Sequence, residues 1–357
     1  MKPEPKRILV KEVNWLGDLV MSLPALRMLR RAYPEAAVSV LVRRELGDFF
    51  DGIEWLAEMI PYRVRGGAEG LRDQLAIVSG IRARRFDLAV LFPNSFASAL
   101  WVALAGVPRR AGYAADGRSL LLTDRVRRKK RTAGQAGHQS EDWLALVRQT
   151  VGEAGNGIAE AEVIDLPLEV AGQKRERMRE WLSQMRKRPD APLIAIAPAA
   201  AYGPAKEWPQ EYYAELIDLI GQRYSAECVL IGGAGERGKC EAIAAQTRMP
   251  VIAAAGETSI GELIALLAQC SGFAGNDSGA MHLAAALGIP AAGIFGSTNP
   301  DRTGPQGRRA AVVYHRIECS PCLARTCRYG HYNCLRGIAA AEVADTLARL
   351  GAFAGKL

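Results

Sequence analysis

The stretch Ser271–Pro300, SGFAGNDSGAMHLAAALGIPAAGIFGSTNP, decides how the rest of the chain is read. It opens on a short apolar run, Gly272 to Gly275, that ends in the tight turn Asn276-Asp277-Ser278-Gly279. A helix is predicted from Ala280 to Leu287, stopped by Gly288, and a second strand follows Pro290. Strand, turn and helix in that order point to a parallel sheet, where ligands gather outside the carboxyl ends of the strands. Gly and Ala let the backbone approach a bound group closely, and Asp277 and Ser278 are residue types that cap helices. The first free N–H groups of such a helix attract an anion, so the turn predicts a phosphate site. Side chains lean toward the helix N-terminus, which tilts His282, one turn past Ser278, to the same mouth. An ordinary capped helix with a packed histidine would give the same pattern, so the turn alone does not decide.

Working outward, 357 residues with 49% hydrophobic and 24% charged content suit a globular protein of two domains, each with its own core. No apolar run reaches the roughly 18 residues of a membrane span, and the start MKPEPKRILV lacks the apolar centre of a signal peptide. A cytoplasmic chain with seven reduced cysteines is therefore expected. The net charge of +8 is unevenly placed: from Ile60 to Gln135 there are 15 Lys/Arg against 5 Asp/Glu. That half of the protein should face something acidic. The basic residues lack aromatic interleaving and a nucleic-acid reading motif, so nucleic acid is not expected. A phosphorylated acceptor or an anionic membrane surface, with the protein peripheral to it, fits at least as well. Asn14, Arg63, Arg65 and Arg118 are the candidate acceptor contacts, and for the run Arg125 to Arg131 a solvated loop is the plain alternative.

The strand-helix alternation starts at once. Arg7 to Glu12 reads as a strand, followed by a helix with apolar positions Leu19, Val20, Leu23, Leu26 and Leu29. Val38 to Val42 and Phe86 to Phe92 supply further strands, the latter leading into the apolar helix of PNSFASALWVALAG. Continuous apolar strands argue for a parallel sheet covered on both faces. The pattern weakens between Ala111 and Asp142, and a charged crossover helix, Lys174 to Met185, precedes its return. Strands at Leu193 to Ala197, Cys228 to Gly232 and Val251 to Ala254 then alternate with helices at Gln210 to Arg223, Gly238 to Gln246 and Ile260 to Ala268. Two doubly wound α/β domains are expected, 1–170 and 171–357, with ligands in the cleft between them. Neither carries GxGxxG after its first strand or a GxxxxGK[ST] loop, which disfavours a nicotinamide dehydrogenase or a nucleoside triphosphatase.

Several residues could carry chemistry. Lys206, in AAAYGPAKEW after the strand at Leu193, lies on the same sheet edge as the Asn276 turn; a lysine and a helix N-terminus together would clamp a diphosphate. Glu236, after Gly232-Gly233-Ala234-Gly235, is placed like the acid that binds ribose hydroxyls. Asp18, at the carboxyl end of the first strand, could take a proton from an acceptor hydroxyl, or could be a helix N-cap.

Four segments together carry a resemblance: VKEVNWLGDLVMSLPALRMLRRAYPEAAVSVLV, GPAKEWP, GNDSGAMHLAAALGIPAAGIFGSTNP and CSPCLARTCRYGHYNCLRGI. In order and over nearly the whole chain, they resemble glycosyltransferase family 9, the ADP-heptose lipopolysaccharide heptosyltransferases, and most of all its heptosyltransferase II branch. The resemblance implies a GT-B fold, with the acceptor held by the first Rossmann-like domain and ADP-heptose by the second. It implies a catalytic base at Asp18, a donor phosphate contact at Lys206, a ribose contact at Glu236 and an adenine-side contact at Thr258. Further donor contacts fall on Asp277, Ser278, Gly279 and His282. Ala199-Ala200-Ala201 departs from the pattern, since relatives often carry hydroxyl or acidic side chains there. The implied reaction moves heptose to heptosyl-Kdo2-lipid A with inversion and without a cofactor or catalytic metal. It needs one base and help for a leaving anion, not the paired carboxylates of a glycosidase. A different sugar, a protein acceptor, or nucleotide-sugar binding without catalysis are the rival readings.

Cys319, Cys322, Cys327 and Cys334 are spaced C-x2-C-x4-C-x6-C, with His331 among them. A structural metal, reduced loop packing and a disulfide all remain open for them. Cys228, Cys240 and Cys270 fall in apolar elements and are expected in the core.

Overall fold

A computed structural model describes residues 3–128, 137–164 and 167–354. The chain divides into two compact units, Met1–Leu166 and Pro167–Leu357. The first contains strands β1 (Arg7–Lys11), β2 (Ala37–Arg43), β3 (Glu58–Tyr62), β4 (Leu88–Leu91), β5 (Arg109–Tyr113) and β6 (Asp124–Val126). Its helices are α1 (Leu16–Ala32), α2 (Gly67–Ala83), α3 (Phe96–Leu104), α4 (Gln139–Val151) and α5 (Glu160–Ile164). The second contains β7 (Leu193–Ala197), β8 (Glu227–Leu230), β9 (Val251–Ala253), β10 (Gly272–Asn276), β11 (Ala291–Phe295) and β12 (Ala310–Tyr314). Its helices are α6 (Gly172–Met185), α7 (Gln210–Tyr224), α8 (Arg237–Ala244), α9 (Ile260–Leu267), α10 (Gly279–Ala286), α11 (Pro300–Thr303), α12 (Asn333–Arg336) and α13 (Ala340–Arg349).

Both sheets are parallel throughout, ordered β3-β2-β1-β4-β5-β6 and β12-β11-β10-β7-β8-β9. The two orders are the same doubly wound order, reversing between the first and fourth strands of each unit. The central strands explain the choice. In β1, Ile8, Leu9 and Val10 are fully buried, and in β7 and β10 every residue is, because helices cover both faces of each sheet. In the second unit the core runs from Ile194 and Ile196 through Trp208, Tyr213 and Ile217 of the α7 side to Leu335, Val343 and Leu347.

The elements expected over Ser271–Pro300 are present to within a residue or two. Gly288 closes α10 with φ +74, a left-handed conformation that glycine adopts without a Cβ penalty. The strands β3, β5, β6 and β12 lie where no strand was expected. All four are short, β3, β5 and β6 carry charge or proline, and β3, β6 and β12 are at a sheet edge, where one neighbour suffices.

Candidate active site

In the second unit, strands β7 and β10 are neighbours, so the loops at their carboxyl ends meet. Asn276, the last residue of β10, is fully buried and ties these loops together. Its Oδ1 accepts from the Trp208 backbone N–H at 3.0 Å and from the Tyr213 hydroxyl at 2.8 Å, while its Nδ2 donates to the Pro198 carbonyl at 2.8 Å. The Trp208 indole is anchored in turn to the Ile338 carbonyl. The loop from Pro198 to Trp208 is thus fixed at both ends. Within it the 3-10 turn Pro204–Lys206 follows Gly203, whose φ of +145 and whose position against the Arg325 carbonyl leave no room for a Cβ.

That turn delivers Lys206. Its Nζ lies 2.5 Å from Asp277 Oδ2 and 5.0 Å from the centre of the Tyr202 ring. Asp277 also accepts from the Thr298 hydroxyl at 2.7 Å, and His282 Nε2 stands 3.9 Å from its other oxygen. Lys206, Thr298 and His282 therefore surround one buried carboxylate at the N-terminus of α10. The capping expected of this turn is corrected: Ser278 occupies the N-cap position without a side-chain cap bond, and Asp277 pairs with Lys206 instead. Ser278 Oγ is buried and without a hydrogen-bond partner among the described residues. An orphaned hydroxyl beside uncapped helix N–H groups and a lysine fits an anion with several acceptor oxygens. Gly279 is the first residue of α10.

Glu236 has a local task, accepting from the Gly233 N–H at 2.7 Å and closing the turn after β8. Thr258 is half-buried immediately before Ser259, which caps α9. Glu207 braces the same edge, pairing with Lys239 at 2.5 Å and accepting from the Ala200 N–H.

In the first unit the loop after β1 enters α1 at Trp15, and Asp18 lies in the first turn. Asp18 is therefore not the N-cap, the structural alternative offered by the sequence. Gln139, the first residue of α4, donates to Asp18 Oδ1 at 3.0 Å, made possible by the packing of α4 along α1. Behind the loop sit two buried titratable neighbours. Burial, eased by Glu12 and reinforced by Arg43, pushes Lys11 down to about 7, and burial, opposed by Ser22, pushes Glu12 up to about 7. Lys11 Nζ reaches Asn14 Oδ1 at 3.4 Å, and the Tyr62 hydroxyl donates to the same oxygen at 2.9 Å, so exposed Asn14 is held from inside.

Among the candidate acceptor contacts, Arg118 is corrected. It is fully buried, and its guanidinium donates to the Tyr113 and Pro93 carbonyls and to Asn94 Oδ1, which makes it a brace for the ends of β4 and β5. Burial lowers it to about 10. Arg65 is exposed but forked onto Asp73 at 2.7 Å and paired with Glu69 at 3.0 Å. Arg63 is exposed on the same loop. Arg125, Arg127 and Arg128 of the basic run are exposed, and Lys129 to Arg131 lie outside the described residues.

Cys319, Cys322, Cys327 and Cys334 line one cavity with Ser297, His331 and Tyr332. All seven cysteines are free thiols, and among the described residues no group of three or more His, Cys, Asp or Glu is arranged to hold a metal ion. Burial, and then the neighbouring Cys319, Cys322 and Cys327, raise Cys334. Burial also acts to raise Cys327, but the backbone N–H groups of Tyr332, Tyr329, Gly330 and His331 outweigh it and lower that thiol. Cys228, Cys240 and Cys270 are buried in the core, as expected.

Sequence reasoning missed Asn276 as a hub, Thr298 as a partner of Asp277, and Gln139 as a partner of Asp18. Asn276 stands in the quoted turn and Thr298 in the adjoining GSTNP, so position gave a signal for both. Gln139 follows a stretch without periodicity and gave none.

Comparison with known proteins places the family and the fold. The model of glycosyltransferase family 9 (heptosyltransferase) matches residues 75–333. Lipopolysaccharide heptosyltransferase 2 of Escherichia coli (strain K12) is 32% identical over 329 residues, covering 87% of this chain and 90% of that protein. Lipooligosaccharide heptosyltransferase 2 of Haemophilus ducreyi is 28% identical over 86% of this chain and 88% of its own length. The solved structure of E. coli ADP-heptose LPS heptosyltransferase II superposes with a TM-score of 0.77 at 27% identity, over 96% of this chain and 98% of that one. The paired Rossmann-like units are of the GT-B type. The chain belongs to glycosyltransferase family 9, the heptosyltransferase family, and is a glycosyltransferase.

Proposed function

We propose that the chain moves heptose from ADP-heptose to heptosyl-Kdo2-lipid A, with inversion, in assembly of the lipopolysaccharide inner core. The observation that carries this reading is the cradle around Asp277: Lys206, Thr298 and His282 beside the unpartnered Ser278 hydroxyl and the start of α10. A diphosphate supplies acceptor oxygens for the Ser278 hydroxyl and the first N–H groups of α10, beside an ammonium that, among the described residues, only Asp277 now neutralises. The relatives' names support the sugar and the pathway, since the E. coli proteins are a lipopolysaccharide heptosyltransferase and an ADP-heptose heptosyltransferase.

In this reading the helix N–H groups, Ser278 and Lys206 hold the diphosphate, and His282 lies beside them. Glu236 and Thr258 serve the ribose and adenine. Asp18, oriented by Gln139, takes the proton of the acceptor hydroxyl as its oxygen attacks the anomeric carbon. The bond from that carbon to the β-phosphate oxygen breaks on the opposite face, and its electron pair leaves with ADP. Lys206 and the helix terminus stabilise the charge that develops there, so ADP leaves without a general acid. Asn14, Arg63 and Arg65 belong to the acceptor side, and the protein works at the cytoplasmic face of the inner membrane.

Mass spectrometry of the lipid product tests this. Incubation with ADP-heptose should add one heptosyl residue to heptosyl-Kdo2-lipid A and little to Kdo2-lipid A. Preference for Kdo2-lipid A would assign the preceding transfer, and no reaction with either would overturn the reading.

A further inference from the structure

Helix α3, FASALWVAL, carries no charged residue, yet one of its faces is open. Ser98, Ala99, Trp101 and Val102 are buried, whereas Phe96 (49% exposed), half-buried Leu100 and Leu104 (52% exposed) form an i, i+4, i+8 stripe on the other side. A helix apolar all round normally has something on each side of it. The neighbouring α2 shows the same property. Leu71 and Leu75, one turn apart, are 62% and 59% exposed. The two helices lie side by side: Trp101 Nε1 donates to Gln74 at 3.2 Å, and Arg82 donates to the Leu104 carbonyl at 2.6 Å. Against α3 packs the 3-10 turn Arg118–Leu121, whose Leu120 is 87% exposed, the most open large apolar side chain among the described residues.

We propose that this face of α2, α3 and the Leu120 turn is a docking surface for an anionic phospholipid bilayer. Charge complementarity selects that occupant. The face lies within the stretch Ile60–Gln135, with its 15 Lys/Arg against 5 Asp/Glu. The acids of α2, Glu69 and Asp73, are both tied to Arg65, while Arg72 and Arg82 of the same helix are exposed. Leucine and phenylalanine side chains can enter the acyl boundary without a shape-matched partner, and arginines beside them meet phosphodiester headgroups. No helix among the described residues is long and apolar enough to cross a membrane. The inference deepens the proposed function and rests on it in one respect, that the acceptor is carried by a membrane.

The test is flotation of the full chain with vesicles of phosphatidylcholine alone or with added phosphatidylglycerol. Binding should require phosphatidylglycerol and weaken with salt, because charge attraction is screened over about 8 Å at physiological ionic strength. Leu71→Ser/Leu75→Ser/Leu120→Ser should lower the bound fraction about tenfold or more, with ADP affinity and thermal midpoint unchanged. Arg72→Gln/Arg82→Gln should reduce the phosphatidylglycerol preference while the protein stays folded. Undiminished vesicle binding by the triple-serine variant would overturn the proposal. So would equal binding to both vesicle types, no binding to either, or sedimentation showing that these leucines hold two copies together. The vesicles contain no acceptor, so a chain that floats but transfers no heptose refutes the proposed reaction and leaves the surface standing.

Discussion

Replacing Lys206 with alanine separates what the lysine does for the fold from what it does for the donor. The ammonium and the Asp277 carboxylate are 2.5 Å apart, with only 13% and 4% of their side chains exposed. Truncating the lysine leaves Asp277 buried with the Thr298 hydroxyl at 2.7 Å and His282 at 3.9 Å. Removing one member of a buried pair strands the other, which costs on the order of 3 kcal/mol of folding stability. Lys206→Ala/Asp277→Ala, which removes both charges and leaves only the Thr298 hydroxyl without its acceptor, should recover much of that loss. Donor affinity should behave differently. A hydrogen bond to a charged group contributes about 1.5 to 3 kcal/mol, so calorimetry should find ADP bound roughly 10- to 150-fold more weakly by both variants. Recovery of stability without recovery of ADP affinity is the expected signature of a lysine that serves the diphosphate. Unchanged ADP affinity in Lys206→Ala would refute the clamp, and the pair would then be a support for the turn alone.

Other substitutions test the remaining parts. Asp18→Asn should lower turnover by about 10² or more with donor binding hardly changed, and Gln139→Met should lower kcat roughly tenfold in the parent but not in the Asp18→Asn background. An equal loss in both backgrounds would show that Gln139 does not act through Asp18. Asn276→Ala leaves the buried Trp208 N–H without its acceptor and the Tyr213 hydroxyl with only the Ala197 carbonyl at 3.4 Å, and urea denaturation should show a loss of about 2 to 4 kcal/mol. A loss indistinguishable from zero would remove Asn276 as the hub. Glu12 and Lys11 predict an unusual pH dependence. Glu12 is raised, so its contribution is present below its ordinary value and lost as pH rises to about 7; Lys11 is lowered, so its contribution is present above its ordinary value and lost as pH falls to about 7. The parent should be least stable near pH 7 on account of this pair. Lys11→Met/Glu12→Gln should flatten that minimum and gain on the order of 1 to 4 kcal/mol at pH 7 in denaturant titrations; deepening of the minimum would contradict the assignment.

The alternation of strand and helix was legible because most strands near the centre of both sheets are buried on two faces and read as unbroken apolar runs. β5, RRAGY, and β6, DRV, gave no such signal, since Arg109 of β5 pairs with Asp124 of β6 and only Ala111 to Tyr113 of β5 and Val126 of β6 are buried. Asp277 was legible as a site residue but not in its role. Residue type suggested a cap, and only the approach of the Lys206 loop to β10 shows that its carboxylate is held by a lysine and a threonine instead. Arg118 misled for a related reason. An arginine in a basic stretch reads as surface, and nothing local discloses that backbone carbonyls from the end of β4 fold over it. Gln139 and Asp18 are 121 positions apart, beyond the range of any periodicity argument.

The most direct measurement of the central claim is the anomeric configuration of the product, read by NMR of the new glycosidic linkage formed by the parent protein. The account predicts a single linkage whose configuration is opposite to that of the ADP-heptose donor, formed at a rate that collapses in Asp18→Asn. A product of retained configuration, or inversion that proceeds at the parental rate without the Asp18 carboxylate, would contradict it.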